Sequence, residues 1–426
     1  MTHTINLNHI TKIEGHASLY VEIKDNKVMK CRLSSIEGSR YFEGLLKGKH
    51  YFEAHEISSR ICGVCSCAHT VAAVTAMENA LNIKTTKQTK ELKKLLTLGE
   101  RIRSHAAHLY FLALPDYLGY ESALAMLPKY RKEVKSALRL MKLGNKLVKV
   151  VGGRDLHPVS LTVGGFLKIP TKDQLIELAN DINELQPDAF ATAKLFGSLD
   201  IPDIENDCEY FSLHDEKEFP ILEGNLISAG STFKQSEYLD YFKEYHEPYS
   251  TANFVVREDK SYLVGAISRI NNNYNKLSKD AKRAITTSKI KFPSKNPFAN
   301  NFAQAVELVH CLDHSIEICN ELYPRQENPI QPKLKASRGL AAIEVPRGIL
   351  FHDYTLDKKG IITKANIITP TAQNLKNMED NIKKFIPSIL HLKNEEKINL
   401  EIEKLIRSYD PCFSCSTHFL KVKWDK

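Results

Sequence analysis

Two Cys-x-x-Cys turns lie at opposite ends of this chain, so a fold that uses both must close nearly the whole sequence into one loop. The first sits in Arg60-Ile61-Cys62-Gly63-Val64-Cys65-Ser66-Cys67-Ala68-His69, the second in Asp410-Pro411-Cys412-Phe413-Ser414-Cys415-Ser416-Thr417-His418. Such spacing lets one tight turn aim two thiolates at one metal, and two turns supply four soft, negative ligands. Soft sulfur selects nickel, iron, zinc or copper over magnesium.

Spacing alone leaves three readings open. Structural zinc is the usual meaning of paired turns, although its halves normally lie within tens of residues of each other. A thioredoxin-like redox pair has the form of the first turn, but that motif opens a helix inside a βαβ unit. The helices expected here do not alternate with strands. A catalytic transition-metal site is the third reading, and the flanks favour it. Arg60, His69, Asp410 and His418 crowd the cysteines, and a purely structural site has no need of charged neighbours.

Nine cysteines in a chain of 426 residues do not make a secreted disulfide framework. Those outside the paired turns, Cys31, Cys67, Cys208, Cys311 and Cys319, read as small buried hydrophobes. With 42% hydrophobic and 26% charged residues the chain is an ordinary soluble protein. No run approaches the roughly 20 apolar residues that span a bilayer, and the first residues lack a signal-peptide core. A cytoplasmic location without a membrane span is expected. The charge of +8 is diffuse. The Lys-rich stretches 87–94 and 129–149 read as solvated helix faces, with no nucleic-acid module.

Periodicity predicts strands over 18–23 and 27–33 around an Asp25-Asn26 turn. Helical spacing covers 70–81, 91–114, 122–151, 171–196, 300–322, 371–392 and 397–408, with Asn300-Asn301 as a cap. Residues 339–351 and 360–368 read as irregular or strand. Pro202, Pro220 and Pro248 interrupt the middle. The expected architecture is mainly α with smaller β regions (α+β), a central bundle of long helices with β structure near the N-terminus and before the C-terminal helices. One domain spans 1–426. It divides into an N-terminal β region with the first motif (1–60), a helical core (61–200), a loop-rich insertion with short strands (200–290), C-terminal helices with the second motif (291–418), and a tail (419–426).

The cysteine turns together resemble the two signatures of nickel–iron hydrogenase large subunits. Further segments match in family order: Lys12-Ile13-Glu14-Gly15-His16, then Arg40-Tyr41-Phe42-Glu43, then Gly152-Gly153-Arg154 with His157-Pro158 and Gly164-Gly165, then Glu344-Val345-Pro346-Arg347-Gly348, then Asn366-Ile367-Ile368-Thr369-Pro370-Thr371. The resemblance runs from Lys12 to His418. Ser104-His105-Ala106-Ala107-His108-Leu109-Tyr110 and the short chain look most like the cytoplasmic bidirectional branch, which includes sulfhydrogenases and NAD(P)- or deazaflavin-linked enzymes. Ser104 departs from many membrane-bound uptake enzymes, which carry Asp there. A more distant relative, the quinone-site subunit of respiratory complex I, shares the fold but lacks the cysteines. The alternative function is therefore a non-catalytic quinone-site or scaffold subunit holding a structural zinc.

The resemblance implies reversible heterolytic cleavage of H2 at a Ni–Fe centre whose iron carries CO and CN ligands. Cys62 and Cys412 would be terminal on nickel, Cys65 and Cys415 bridging. Cys412 would take the proton and relay it to Glu14. Arg347, always protonated, would orient and stabilise charge. Asp410 would hold Arg347. Arg60 would support the cysteines, His69 would donate to the Cys65 sulfur, and Pro346 and Ile61 would keep water out. Glu43, the Ile367 carbonyl and His418 would bind a second metal, Mg2+ or Fe2+. The family pattern implies cleavage after His418 by a maturation peptidase. The chain carries neither iron–sulfur spacing beyond these turns nor a Gly-x-Gly-x-x-Gly loop. Electrons must therefore leave through a small subunit with iron–sulfur clusters and further NAD(P)- or deazaflavin-linked subunits.

Overall fold

The structure, a computed structural model, describes residues 2–417; His418 and the expected tail 419–426 lie outside the described residues. Strands β1 (Thr2–Leu7), β2 (Ala17–Lys24) and β3 (Lys27–Ser35) form an antiparallel sheet in that order. Asp25 and Asn26 turn β2 into β3 at φ 49° and 59°, the left-handed region that suits a two-residue hairpin. Ala17, Leu19, Val21 and Ile23 alternate into the core. β1 goes beyond the expected pair of strands.

Long helices follow: α1 (Ser66–Leu81), α2 (Lys87–Ala107), α3 (Arg131–Gly152) and α4 (Lys172–Ser198). The Thr86 hydroxyl caps α2 by accepting from the Thr89 amide. Past Ala107 the rod winds more widely through His108–Ala113 as a π-helix and tightens again over Leu114–Leu118. The predicted helix over 122–151 is two. A short turn, Ala123–Met126, stands apart from α3, and the backbone leaves the helical region at Tyr130, φ −115° and ψ 40°, just before α3. Thr171 and Gln174 close a capping box at the head of α4.

The short strands expected within the loop-rich insertion join into sheets. β4 (Glu209–His214), β5 (Asn225–Ser228), β6 (Ser231–Phe233) and β7 (Tyr262–Val264) make one sheet in the order β7-β4-β5-β6, with β7 parallel to β4. Helix α5 (Ala266–Asn273) leads towards α6 (Ala299–Glu321). Asn300 does not cap α6; Phe298 occupies that position. Instead Asn300 Oδ1 accepts from the Ile267 amide at 3.0 Å and its Nδ2 donates to the Ser408 carbonyl at 2.7 Å.

Strands β8 (Ser337–Val345), β9 (Gly348–Leu356) and β10 (Ile362–Ile368) form an antiparallel meander. Val345 pairs with Gly348, so Pro346 and Arg347 are the two-residue tip of the β8–β9 hairpin. Helices α7 (Pro370–Ile389) and α8 (Glu395–Ser408) complete the chain before the second cysteine turn. The mixed helix-and-strand architecture follows the expected one. No helix among the described residues is long and apolar enough to cross a membrane.

α2 and α3 cross at glycines. A Cβ on Gly144 would lie 2.6 Å from the Gly99 carbonyl oxygen and 2.8 Å from the Arg103 amide nitrogen. Both neighbours are backbone, so only separating the helices relieves the clash. Gly144→Ala is expected to cost roughly 1–3 kcal/mol, the usual range for overpacking a tight core. The midpoint of denaturant unfolding reads this directly, and an unshifted midpoint would mean that the crossing gives way freely.

Candidate metal centre

The first cysteine turn is built onto the head of α1. A short 3-10 turn, Ser59–Ile61, delivers an extended Cys62, and Cys65 occupies the N-cap of α1. The Cys65 amide donates to Cys62 Sγ at 3.3 Å. Helix α2 supports the turn from beneath. Arg103 Nη2 donates to the Val64 carbonyl at 2.8 Å. The fully buried Glu100 accepts from the Cys67 and Ala68 amides at 2.7 and 3.1 Å, the first free donors of α1. Burial pushes its carboxyl up to about 7, against the opposing pull of Arg103.

The second turn begins where α8 ends. Asp410 takes φ 51°, and the Cys412 amide donates to the Thr371 hydroxyl at 2.9 Å. The N-terminal motif lies alongside. Glu14 bridges with Cys412, and the Phe413 amide donates to the Glu14 carbonyl at 3.0 Å. Gly15 is required beside it. Its φ is +84°, and a Cβ there would stand 2.9 Å from the Ser414 amide nitrogen. The Ser414–Ser416 3-10 turn then brings in Cys415.

All four sulfurs are buried and lie within 4.8 Å of one another. Cys62 is 3.6 Å from Cys412, Cys65 is 3.3 Å from Cys415, and Cys412 is 2.8 Å from Cys415. Burial pushes the Cys412 and Cys415 thiols well above their ordinary value. Hydrogen bonds from Cys412, then Cys415 and Cys65, draw Cys62 well below it. Four thiolates at this density demand a compensating cation, so the donor set fits a soft metal. Beside them is a small apolar cavity lined by Cys65, His69, Pro346, Arg347, Cys412 and Cys415, among others.

Arg347 reaches over the cage from the hairpin tip. Its Nε donates to the Asp410 carbonyl at 2.6 Å and its Nη2 to Asp410 Oδ1 at 2.9 Å. Burial opposes the guanidinium charge, and Asp410 together with Cys412, Cys65 and Cys62 more than offsets it. Gln304 Nε2 donates to the other Asp410 oxygen at 3.1 Å. Arg347 Nη1 is buried without a hydrogen-bond partner. Glu14 Oε2 lies 2.9 Å from Cys412 Sγ and also accepts from the Ser414 amide at 3.3 Å, while its Oε1 accepts from the Ser414 hydroxyl. His69 Nδ1 faces His352 Nε2 at 3.0 Å, and His352 Nδ1 meets the Tyr354 hydroxyl at 2.7 Å.

Glu43 and Ile367 also come together. Glu43 Oε1 accepts from the Ile367 amide at 2.8 Å, whereas the expectation concerned the Ile367 carbonyl. Their expected companion His418 is outside the described residues. Arg60 requires a correction. It is exposed and spends its guanidinium on Glu56, through the Glu56 carbonyl at 2.5 Å and the carboxylate at 3.5 Å. Arg40 takes the inner place instead. One guanidinium nitrogen, Nη2, donates to both the Ile61 and Ser414 carbonyls, stapling the two cysteine turns. Sequence reasoning placed Arg40 and Thr371 in motifs without a role, and passed over Glu100 and Arg103. Of the remaining cysteines, Cys31, Cys67, Cys311 and Cys319 are buried, but Cys208 is only half-buried.

Residues 40–139 and 232–418 match the family described as nickel-dependent hydrogenase. Sulfhydrogenase 1 subunit alpha of Pyrococcus furiosus is 35% identical, over 98% of each chain. NAD-reducing hydrogenase HoxS subunit beta of Cupriavidus necator is 26% identical, over 99% of this chain and 96% of that one. Among solved structures, an NAD+-reducing NiFe-hydrogenase in its H2-reduced state aligns with a TM-score of 0.86 at 22% identity, over 98% of this chain and 99% of that one. That likeness establishes the fold.

Proposed function

Because this chain belongs to the nickel-dependent hydrogenase family and is a catalytic hydrogenase subunit, we propose that Cys62, Cys65, Cys412 and Cys415 hold the nickel–iron pair at which it splits H2. The convergence of four buried sulfurs on one point carries this reading. Cys62 and Cys412 would hold the nickel, and Cys65 and Cys415 would hold it together with an iron carrying CO and CN. When bound, the metal pair supplies the Lewis acidity and the electron sink that polarise the H–H bond.

The protein residues handle the proton and the surroundings. Cys412 Sγ takes the proton as the bond breaks. Glu14 Oε2, 2.9 Å away, receives it from the sulfur, and the half-buried Glu14 carries it towards solvent. The Ser414 amide and hydroxyl hold the Glu14 carboxylate in that position. Arg347 serves as a fixed positive charge, because a guanidinium stays protonated. Its unpartnered Nη1 is the atom left for reacting species. Asp410 fixes the angle of Arg347. Pro346, in the cavity wall, and Ile61, buried just ahead of Cys62, have no polar side-chain atoms and keep water from the cage.

Glu43, the Ile367 carbonyl and His418 would hold a second metal, Mg2+ or Fe2+. Removal of residues 419–426 by a maturation peptidase follows nickel insertion. Electrons pass to a small subunit bearing iron–sulfur clusters, and from there to NAD(P)- or deazaflavin-linked subunits. The likeness to a subunit of an NAD-reducing hydrogenase supports a multi-subunit assembly of this kind.

Metal analysis of the protein purified with its natural partner subunits tests the reading, together with an infrared spectrum where bound CO and CN absorb. Nickel and iron in this subunit, with those bands, are the expected result. Zinc alone, without the bands, would instead support a scaffold subunit.

A further inference from the structure

We propose that Arg269 is a positioning residue that holds the Pro346-Arg347 turn over the metal cage. The proposal rests on the placement of Arg347 described above. Arg269 lies on α5, and with Glu307 of α6 and Glu344 of β8 it is wholly removed from solvent. A guanidinium has five N–H donors, and here every one is used. Nε donates to Glu307 Oε1 at 2.5 Å, and Nη1 donates to Glu344 Oε2 at 2.8 Å and to the Val345 carbonyl at 2.9 Å. Nη2 donates to Glu307 Oε2 at 2.7 Å and to the Pro346 carbonyl at 3.0 Å.

Two of the five acceptors are therefore the carbonyls of the residues just before Arg347. The carboxylates alone would balance the Arg269 charge, and buried ion pairs are weak contributors to stability because desolvation offsets their attraction. What the guanidinium adds is directional. A rigid planar fork reaches two carboxylates and two loop carbonyls at once, which an ammonium with three donors on a flexible stem cannot do.

The surroundings fix the fork. His105 Nε2 lies 2.9 Å from Glu307 Oε2, and Arg101 Nη2 donates to the Glu344 carbonyl at 2.8 Å. The Leu213 amide donates to Glu344 Oε1 at 2.7 Å. Helices α2, α5 and α6 and strand β8 thus meet behind the hairpin tip. Arg347 is gripped from both directions: its backbone turn by Arg269, its side chain by Asp410. A turn of two residues has little stiffness of its own, and a catalytic group displaced by about 1 Å can lose on the order of 100-fold in rate.

The test compares Arg269→Lys, Arg347→Lys and the double variant in the assembled holoenzyme, with hydrogen–deuterium exchange of the peptide covering 344–350. In Arg269→Lys the metal content is expected to stay, while amides of that peptide exchange at least about tenfold faster, as for a locally loosened segment. Hydrogen oxidation is expected to fall roughly 10- to 100-fold. The double variant should be no slower than Arg347→Lys, because both changes act through one guanidinium. Unchanged exchange in 344–350, or losses that multiply in the double variant, overturn the proposal. Full activity in Arg347→Lys removes the reading of Arg347, and the exchange rates then still decide whether Arg269 holds the turn. Should Arg269→Lys fail to assemble, Glu307→Gln weakens the carboxylate that takes two of the five bonds. It must give the same acceleration at smaller scale, and normal exchange there overturns the proposal.

Discussion

Cys65→Ser is expected to abolish hydrogen oxidation, with nickel and iron lost from the subunit together. Cys65 stands at the N-cap of α1, and its sulfur lies 3.3 Å from Cys415 within a cage spanning 4.8 Å. A hydroxyl is a hard, weakly acidic donor, and it cannot replace a thiolate for nickel or low-valent iron. Without the metals the enzyme forfeits its main source of rate enhancement, so activity should fall by about a millionfold or more. Metal analysis beside the activity assay makes this decisive. A variant that keeps its metals but loses disulfide exchange would instead identify Cys62 and Cys65 as a thiol redox pair. The fold should persist, because Cys65 Sγ makes no contact that shapes α1; the helix head is held by Glu100 and Arg103.

Glu14→Gln is the second large effect, and it should leave the metals in place. The amide keeps the size of the carboxyl and still accepts from the Ser414 amide, but it cannot carry a proton onwards. Removing a positioned proton carrier costs roughly 100- to 10,000-fold, and steady hydrogen oxidation is expected to fall in that range. Cleavage at Cys412 itself does not need Glu14. Interconversion of the nuclear-spin forms of H2, which requires only splitting and recombination, should therefore survive while exchange with solvent deuterons collapses. Loss of both reactions to the same extent would place Glu14 in the cleavage step; loss of neither would remove it from the relay. Glu14→Asp, one methylene shorter, should recover part of the exchange.

Both predictions concern residues that were legible early. The cysteine turns announce themselves because two ligands on one tight turn are a matter of local chain geometry, read from spacing without any fold. Glu14 and Arg347 became legible only through the order of motifs along the whole chain, whereas Asp410 stood out beside the second cysteine turn. Helices such as α1 and α4 followed from apolar periodicity and from the Thr171 cap. The pairing of the short strands in 200–290 did not, because β7 joins β4 across two intervening hairpins, β5–β6 and 243–246 with 253–256. Such pairing leaves no local signal beyond short apolar runs broken by prolines.

Arg60 and Arg40 mark the boundary between the two kinds of information. Both are arginines near cysteine motifs, and adjacency to Cys62 favoured Arg60. Yet the 3-10 turn ahead of Cys62 points Arg60 outward to Glu56, while the loop before Glu43 carries Arg40 inward to both cysteine turns. Glu100, Arg103, Thr371 and Arg269 belong with Arg40. Each is a buried polar residue, and nothing in its own segment tells which distant carbonyl or amide it will meet. By itself the sequence determined the ligands, their number and the helical character of the chain, because those depend on residue type and short-range spacing. The tertiary structure alone decided which buried polar groups hold the ligands and the Arg347 turn. Those hydrogen bonds join segments far apart in the chain, and burial without a partner is too costly to leave their geometry to chance.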